Sequence, residues 1–207
     1  MKISYAITVC NELHEVTRLI NLLLNSKRKE DEIVVLFDKK GGTDKVWNRV
    51  SELVDEPNCR VISSTFKNHF ADWKNKLTGL CTGDYIFQID ADEYPHVHLL
   101  KSLHNILEVN PENEVYLVPR VNTVKGLTSK HIQKWGWRVD DNKWVNYPDY
   151  QWRIWKNKPE IKWVNKVHEV LSGHKTFAAL PASENLSLYH PKEIDRQEKQ
   201  NEFYNTL

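Results

Sequence analysis

A chain of 207 residues with 40% hydrophobic and 28% charged side chains can bury one substantial core, so a single domain carrying a subdomain is expected rather than two small domains. No apolar run approaches about eighteen residues and the N-terminus opens directly in a strand-like segment, so neither a transmembrane span nor an export signal is expected, and a cytoplasmic location is. Cys10, Cys59 and Cys81 form no Cys-x-x-Cys pair, which points to reduced thiols and away from structural zinc, while a formal charge of +1 still allows a basic lobe to balance an acidic one.

Ile3 to Val9 reads as a short buried strand. It is followed by Cys10-Asn11-Glu12 and a helix whose Val16, Leu19, Ile20, Leu23 and Leu24 recur at three- and four-residue spacing. Ile33 to Phe37 is a second strand, ending at Asp38 and the turn Gly41-Gly42-Thr43-Asp44, after which Val46, Trp47, Val50 and Leu53 mark a second helix. Arg60 to Ser63 makes a third strand, and Phe66 to Leu80 a helix with Phe70, Trp73, Leu77 and Leu80 on one face. Strands alternating with helices predict a mostly parallel sheet, and such sheets bind ligands at the carboxyl ends of their strands. Thr8, Asp38, Asp90 and Asp92 all fall at such ends.

The chain is organised around Gly83 to Pro95. A turn signal leads into Tyr85-Ile86-Phe87-Gln88-Ile89, a buried strand by composition, and Asp90, Asp92 and Glu93 then crowd together before Pro95 stops the element. Carboxylates packed that closely repel one another, which a divalent cation would relieve. Asp90 and Asp92 leave a strand on the same side and are able to chelate one ion, while Ala91 points into the packing. An acid-rich turn without a ligand is the plainer alternative.

These features in this order (a strand, Asn11-Glu12, a helix, Asp38, the Gly-Gly-Thr-Asp turn, a helix carrying Lys74-Asn75, then Gly83 to Glu93) resemble the family 2 glycosyltransferases of the GT-A fold. The likeness returns in Tyr150-Gln151-Trp152-Arg153-Ile154-Trp155 and in Lys166-Val167-His168-Glu169-Val170-Leu171, which resemble elements of the branch related to lipopolysaccharide-core glycosyltransferases. It implies an α/β, Rossmann-like GT-A domain over 1–207, with a mostly parallel central sheet flanked by helices. Residues 1–95 would bind a nucleotide sugar, and 96–207 would form a smaller, irregular acceptor-side half. The resemblance further implies a Mn²⁺ or Mg²⁺ ion on Asp92, with Asp90 reaching the ribose or the ion through water and His168 completing the coordination or gripping the diphosphate. Asp38 would meet the nucleobase with Thr8 and Glu12 on the same rim, and Lys74 and Arg153 would join the donor set. Each has a plainer reading: Thr8 as a strand residue, Glu12 as a solvated loop acid, Asp38 as a cap. Inversion at the sugar needs a base on the acceptor side, and Glu169, Glu93 and Asp149 are the candidates, Glu169 preferred.

Tyr116 to Arg120 reads as a strand, Lys130 to Val145 as a long irregular acceptor loop, Tyr150 to Trp155 and Ile161 to Val164 as two strands around a turn, and Glu193 to Tyr204 as a helix. His190, in Tyr189-His190-Pro191, is a weaker site candidate than His168. Between Lys130 and Lys166 nine Lys or Arg stand against four acids, and six of the eight tryptophans lie there too. Cations interleaved with aromatics suit a glycan acceptor such as a lipopolysaccharide core, or a hydroxymethylated base in phage DNA, although each tryptophan is equally a core candidate. A nucleotidyltransferase would want a Gly-rich loop after the first strand, which is absent, and a carbohydrate-binding module would not need the acidic pair.

Overall fold

The computed structural model describes residues 1–204, without the side chains of Phe203 and Tyr204. Strands β1 (Ile3–Val9), β2 (Glu32–Asp38), β3 (Cys59–Ser64) and β4 (Tyr85–Asp90) are mutually parallel and form one half of a seven-stranded sheet. The sheet is extended from β4 by β8 (Gln151–Lys156), β6 (Val115–Val118) and β11 (Phe177–Ala179), with β8 antiparallel to both of its neighbours. The expected α/β architecture with a mostly parallel centre is therefore what the chain adopts.

Burial on both faces explains the unbroken apolar runs of β1 and β2. Ile3, Tyr5, Ile7, Ile33, Val35 and Phe37 face one core, whereas Ala6, Val34 and Leu36 face the other. The first core is closed by α1 (Leu13–Ser26), α2 (Asp44–Ser51) and α4 (Val97–Val109); α1 inserts Val16, Leu19, Ile20 and Leu23, each worth about 1.5–3 kcal/mol of burial. The second is closed by α3 (Phe70–Thr78) and the antiparallel pair β9 (Lys162–Val164) and β10 (Val170–Ser172). Trp155 and Trp163 belong to this second core, so two of the six clustered tryptophans are structural.

A separate three-stranded sheet joins β5 (Tyr94–Pro95), β12 (Leu188–Glu193) and β7 (Arg120–Lys125). Where one strand is expected over Tyr116–Arg120, the chain forms two, β6 and β7. Pro119 has no N–H to give a ladder, and at that residue the chain leaves the large sheet for the small one. The helix expected from Phe66 begins only at Phe70, because the Phe66 amide is taken by Asp38 Oδ1 at 3.0 Å and His69 caps the helix at Asp72. Within the expected irregular loop, α5 (Ser129–Trp135) forms on a Thr128/His131 capping box, and α6 (Ile194–Tyr204) closes the described chain.

One buried acid ties β1, the α1–β2 turn and α4 together. Asp31 accepts from Ile3 N at 2.9 Å, Arg28 N at 3.0 Å and His104 Nε2 at 3.1 Å, with no exposed surface of its own. Asp31→Ala strands those donors in the interior and is expected to cost about 3–5 kcal/mol in urea unfolding. A loss below about 1 kcal/mol would show that water replaces the carboxylate.

Candidate active site

A cleft of about 990 Å³ opens over the carboxyl ends of β1, β2 and β4. Parallel register sets Thr8 beside Asp90, and its hydroxyl donates to Asp90 Oδ1 at 3.3 Å, as does Gln88 Nε2 at 3.0 Å. The other oxygen of Asp90 accepts from Arg153 at 2.6 Å, and the same guanidinium nitrogen reaches Glu93 Oε1 at 2.7 Å. Burial alone would raise the Asp90 carboxyl, but Arg153 and Lys74 hold it at about 2. Arg120 completes the network by pairing Glu93 at 2.8 Å and Asp149 at 2.7 Å. The Glu93 side chain has no exposed surface, so it meets neither donor nor acceptor.

Asp92 lies beyond this lock. Its Oδ2 stands 3.3 Å from His190 Nε2 and 3.4 Å from Arg196 on α6. The register of β12 on β5, Tyr189 opposite Tyr94, brings His190 across 98 residues of sequence to the acidic loop. Asn122 on β7 donates through Nδ2 to ionised Asp149 at 2.7 Å, which turns its Oδ1 towards His190 Nδ1 at 2.9 Å. Nδ1 is thus the protonated nitrogen, and Nε2 of a neutral ring turns a lone pair on the Asp92 carboxylate. Burial pushes the His190 pKa down and favours that neutral ring despite Asp92. Two acceptors at this distance are relieved by positive charge, part of which Arg196 supplies at Asp92 Oδ2, and carboxylate with imidazole is also a donor pair suited to Mn²⁺. Among the described residues no group of three or more His, Cys, Asp or Glu is placed to hold an ion alone, so the remaining positions would fall to ligand and water.

On the donor rim, Asp38 Oδ1 accepts from Lys40 N and Phe66 N, both at 3.0 Å, and Oδ2 from Gly41 N at 3.2 Å. A Cβ on Gly41 would stand 2.8 Å from Cys10 Sγ and 2.9 Å from Asp38 Oδ2, so glycine permits the close approach of this turn to β1. Glu12 gathers the amides of Cys10 and Asn11 at 2.8 and 3.0 Å and pairs with Arg196, which is how α6 is tied to the first loop. Across the cleft, Lys74 Nζ sits 4.5 Å over the Trp163 ring and is ion-paired to Glu169 Oε1. Asp149 is engaged on both oxygens, by Arg120 and Asn122 on one and Gln151 on the other. Burial opposes its ionisation, yet Arg120 and Asn122 keep its pKa low. His168 lines the same cleft with a left-handed φ of 52°.

Residues 4–178 match the family model described as Glycosyl transferase family 2. The chain belongs to that family. Among solved structures, S. aureus TarS 1-349 in complex with UDP-GlcNAc aligns with a TM-score of 0.65 at 17% identity, over 93% of this chain and 59% of that one. The same protein in complex with UDP gives 0.64 at 16%, over 92% and 60%. The mannosyltransferase PcManGT from Pyrobaculum calidifontis, in complex with GDP-Man and Mn2+, gives 0.50 at 17%, over 57% and 35%. The chain thus spans about 60% of the TarS fragment, and likeness at this identity speaks for the GT-A fold alone. No curated protein matches it by sequence.

Within this glycosyl transferase family 2 domain, the site residues named from sequence gather round one cleft, apart from the enclosed Glu93. The histidine that stands against Asp92 is His190, the weaker candidate, and Arg120, Asn122, Lys192 and Arg196 were not anticipated at all. Lys192 is buried beside Asp92, and desolvation together with Arg120 and Arg196 lowers its pKa to about 8, so it remains largely a cation at neutral pH. The Tyr-His-Pro-Lys run was visible, but only the β5–β12 register says where it lands.

Arg153, expected in the donor set, is enclosed between Asp90 and Glu93. Arg153→Met leaves Asp90 without its paired cation and Glu93 with Arg120 alone, and should cost about 3–5 kcal/mol of stability in urea unfolding. The Asp90 pKa is depressed in the fold, so its stabilising term is complete above about pH 4 and is lost as pH falls towards 2. The variant should lose this acid-limb dependence. A parent-like midpoint and acid limb would show that the guanidinium does not bind the loop together.

Proposed function

We propose that this domain is an inverting glycosyltransferase that moves a sugar from a UDP-linked donor to a hydroxyl of a glycan such as a lipopolysaccharide core, with Mn²⁺ or Mg²⁺ held by Asp92 and His190. The observation that carries this reading is the Asp92–His190 pair, two acceptors turned on one another at the carboxyl end of the sheet. The UDP and UDP-GlcNAc complexes of TarS and the Mn2+ complex of PcManGT support the donor class and the ion.

In this reading Asp38, Thr8 and Glu12 shape the nucleoside end of the cleft, and Asp90 faces the ribose. Lys192 and Arg196 stand beside Asp92, where a diphosphate would lie. A bound divalent ion supplies further positive charge to the departing diphosphate. Glu169 is the base: Lys74 orients its Oε1 and leaves Oε2 free to take the proton of the acceptor hydroxyl. As that O–H bond breaks, the acceptor oxygen bonds to the anomeric carbon and the nucleoside diphosphate departs from the opposite face. Asp149 is the poorer base, because four donors occupy its oxygens and its pKa is depressed.

UDP titrated by calorimetry should bind with Mn²⁺ present and lose most of its affinity in chelator. Asp92→Asn or His190→Gln should weaken the metal-dependent part by about ten- to a hundredfold, with His168→Gln the smaller effect. Equal UDP binding in chelator would overturn the metal assignment, and none under either condition would overturn the family 2 reading of the site.

Glu169→Gln separates the base from its neighbours. Transfer should fall by roughly a hundredfold or more while UDP affinity stays near the parent value. Parent-rate transfer by this variant, with Asp149→Asn inactive, would move the base to Asp149.

A further inference from the structure

The segment between β7 and β8 carries four exposed cations, Lys130, Lys134, Arg138 and Lys143, and none of their side chains has a hydrogen-bond or ion-pair partner among the described residues. In the cleft, by contrast, Lys74, Arg120, Arg153 and Arg196 each meet at least one carboxylate. The same segment forms an aromatic ridge. His131 stacks on Trp135 at 5.2 Å and 13°, and Trp135 packs against Trp137 at 4.6 Å. None of the α5 side chains is buried, so no core packing accounts for the His131 and Trp135 rings. The ridge runs into the cleft at Trp137, whereas the next residue, Arg138, lines a second hollow of about 190 Å³ with Trp144 and Tyr147. One wall therefore serves both cavities.

We propose that this ridge and hollow bind the acceptor beyond the sugar that is modified, and that the acceptor is an anionic glycan several sugars long whose phosphate or carboxylate pairs with Arg138. The inference rests on the glycosyltransferase reading. Indole surfaces take the apolar C–H faces of sugars, and a guanidinium grips phosphate or carboxylate through forked hydrogen bonds. Asp140, in the same hollow, holds the Trp144 amide with Oδ1 at 2.8 Å and keeps Oδ2 for a sugar hydroxyl. Arg138 can neutralise one anionic group in this hollow, but Asp140 and the adjacent Asp141 would repel the successive phosphates of a nucleic-acid backbone, which favours a glycan with isolated charges.

The test uses the full chain with three glycan probes, mannopentaose 6-phosphate, tetragalacturonate and neutral mannopentaose, and with DNA oligonucleotides, read by intrinsic tryptophan fluorescence. At least one anionic glycan should bind about tenfold tighter than the neutral one, Trp135→Ala should weaken it about tenfold, and Arg138→Glu should erase the anionic preference. UDP affinity with Mn²⁺, measured on every variant, shows that the fold persists and separates the two readings. Neutral and anionic glycans binding alike, tighter binding of DNA, or no saturable glycan binding while UDP still binds would each overturn the inference and leave the donor site standing. Loss of UDP binding in the parent protein would overturn the reading beneath it.

Discussion

Everything at the end of the central sheet depends on Arg153. Its guanidinium, 3% exposed, bonds both Asp90 and Glu93, and without that charge Asp90 would lose its direct cation where β4 meets solvent. Arg120 extends the arrangement from Glu93 to Asp149. The acidic loop is therefore neutralised from behind by two arginines, while Asp90 and Asp92 both reach the cleft, Asp92 without a bond to either arginine. Its partners are of a different kind: a histidine whose tautomer is fixed, and Arg196 on the closing helix at 34% exposure, which can move more readily than a buried guanidinium. A permanent charge lock and an exchangeable site sit side by side.

The half of the fold around β1 to β4 was legible because those strands are buried on both faces and alternate with helices carrying a clear apolar stripe. Ile33 to Phe37 needs nothing but its composition to be read as a central parallel strand. The second half resisted for equally physical reasons. β5 has two residues and β10 and β11 have three each, too short for a period to show, and β7 is hidden behind Pro119. Trp135, Trp137 and Trp144 have no common period because they stand on a short helix and its following turns rather than on one face.

Site residues divide along the same line. Asp38, Asp90 and Asp92 follow from the rule that parallel sheets present ligands at strand ends, and the structure puts them in one cleft. Arg120, Asn122 and His190 lie on β7 and β12, and their part is set by parallel pairing of those strands, with His190 opposite Asn122. No local pattern encodes that pairing. His168 offered a stronger local signal than His190, an acid beside it and a resemblance around it, yet tertiary register brought the other imidazole to Asp92.

This dependence on register joins the two halves of the chain. Asp92 belongs to the loop after β4, but it acquires an imidazole partner only when β12 docks between β5 and β7, and β7 in turn supplies the Asn122 that fixes the ring. The chain must therefore complete its second sheet, close to its C-terminal helix, before the first sheet's acidic loop has a full set of neighbours. Arg196, in the first turn of that helix, reaches back to Glu12 and Glu15 at the first loop and helix, so the last described element is fastened to the first helix. A nucleotide held between those loops would bridge the same elements, and its binding energy would add directly to the stability of the docked helix.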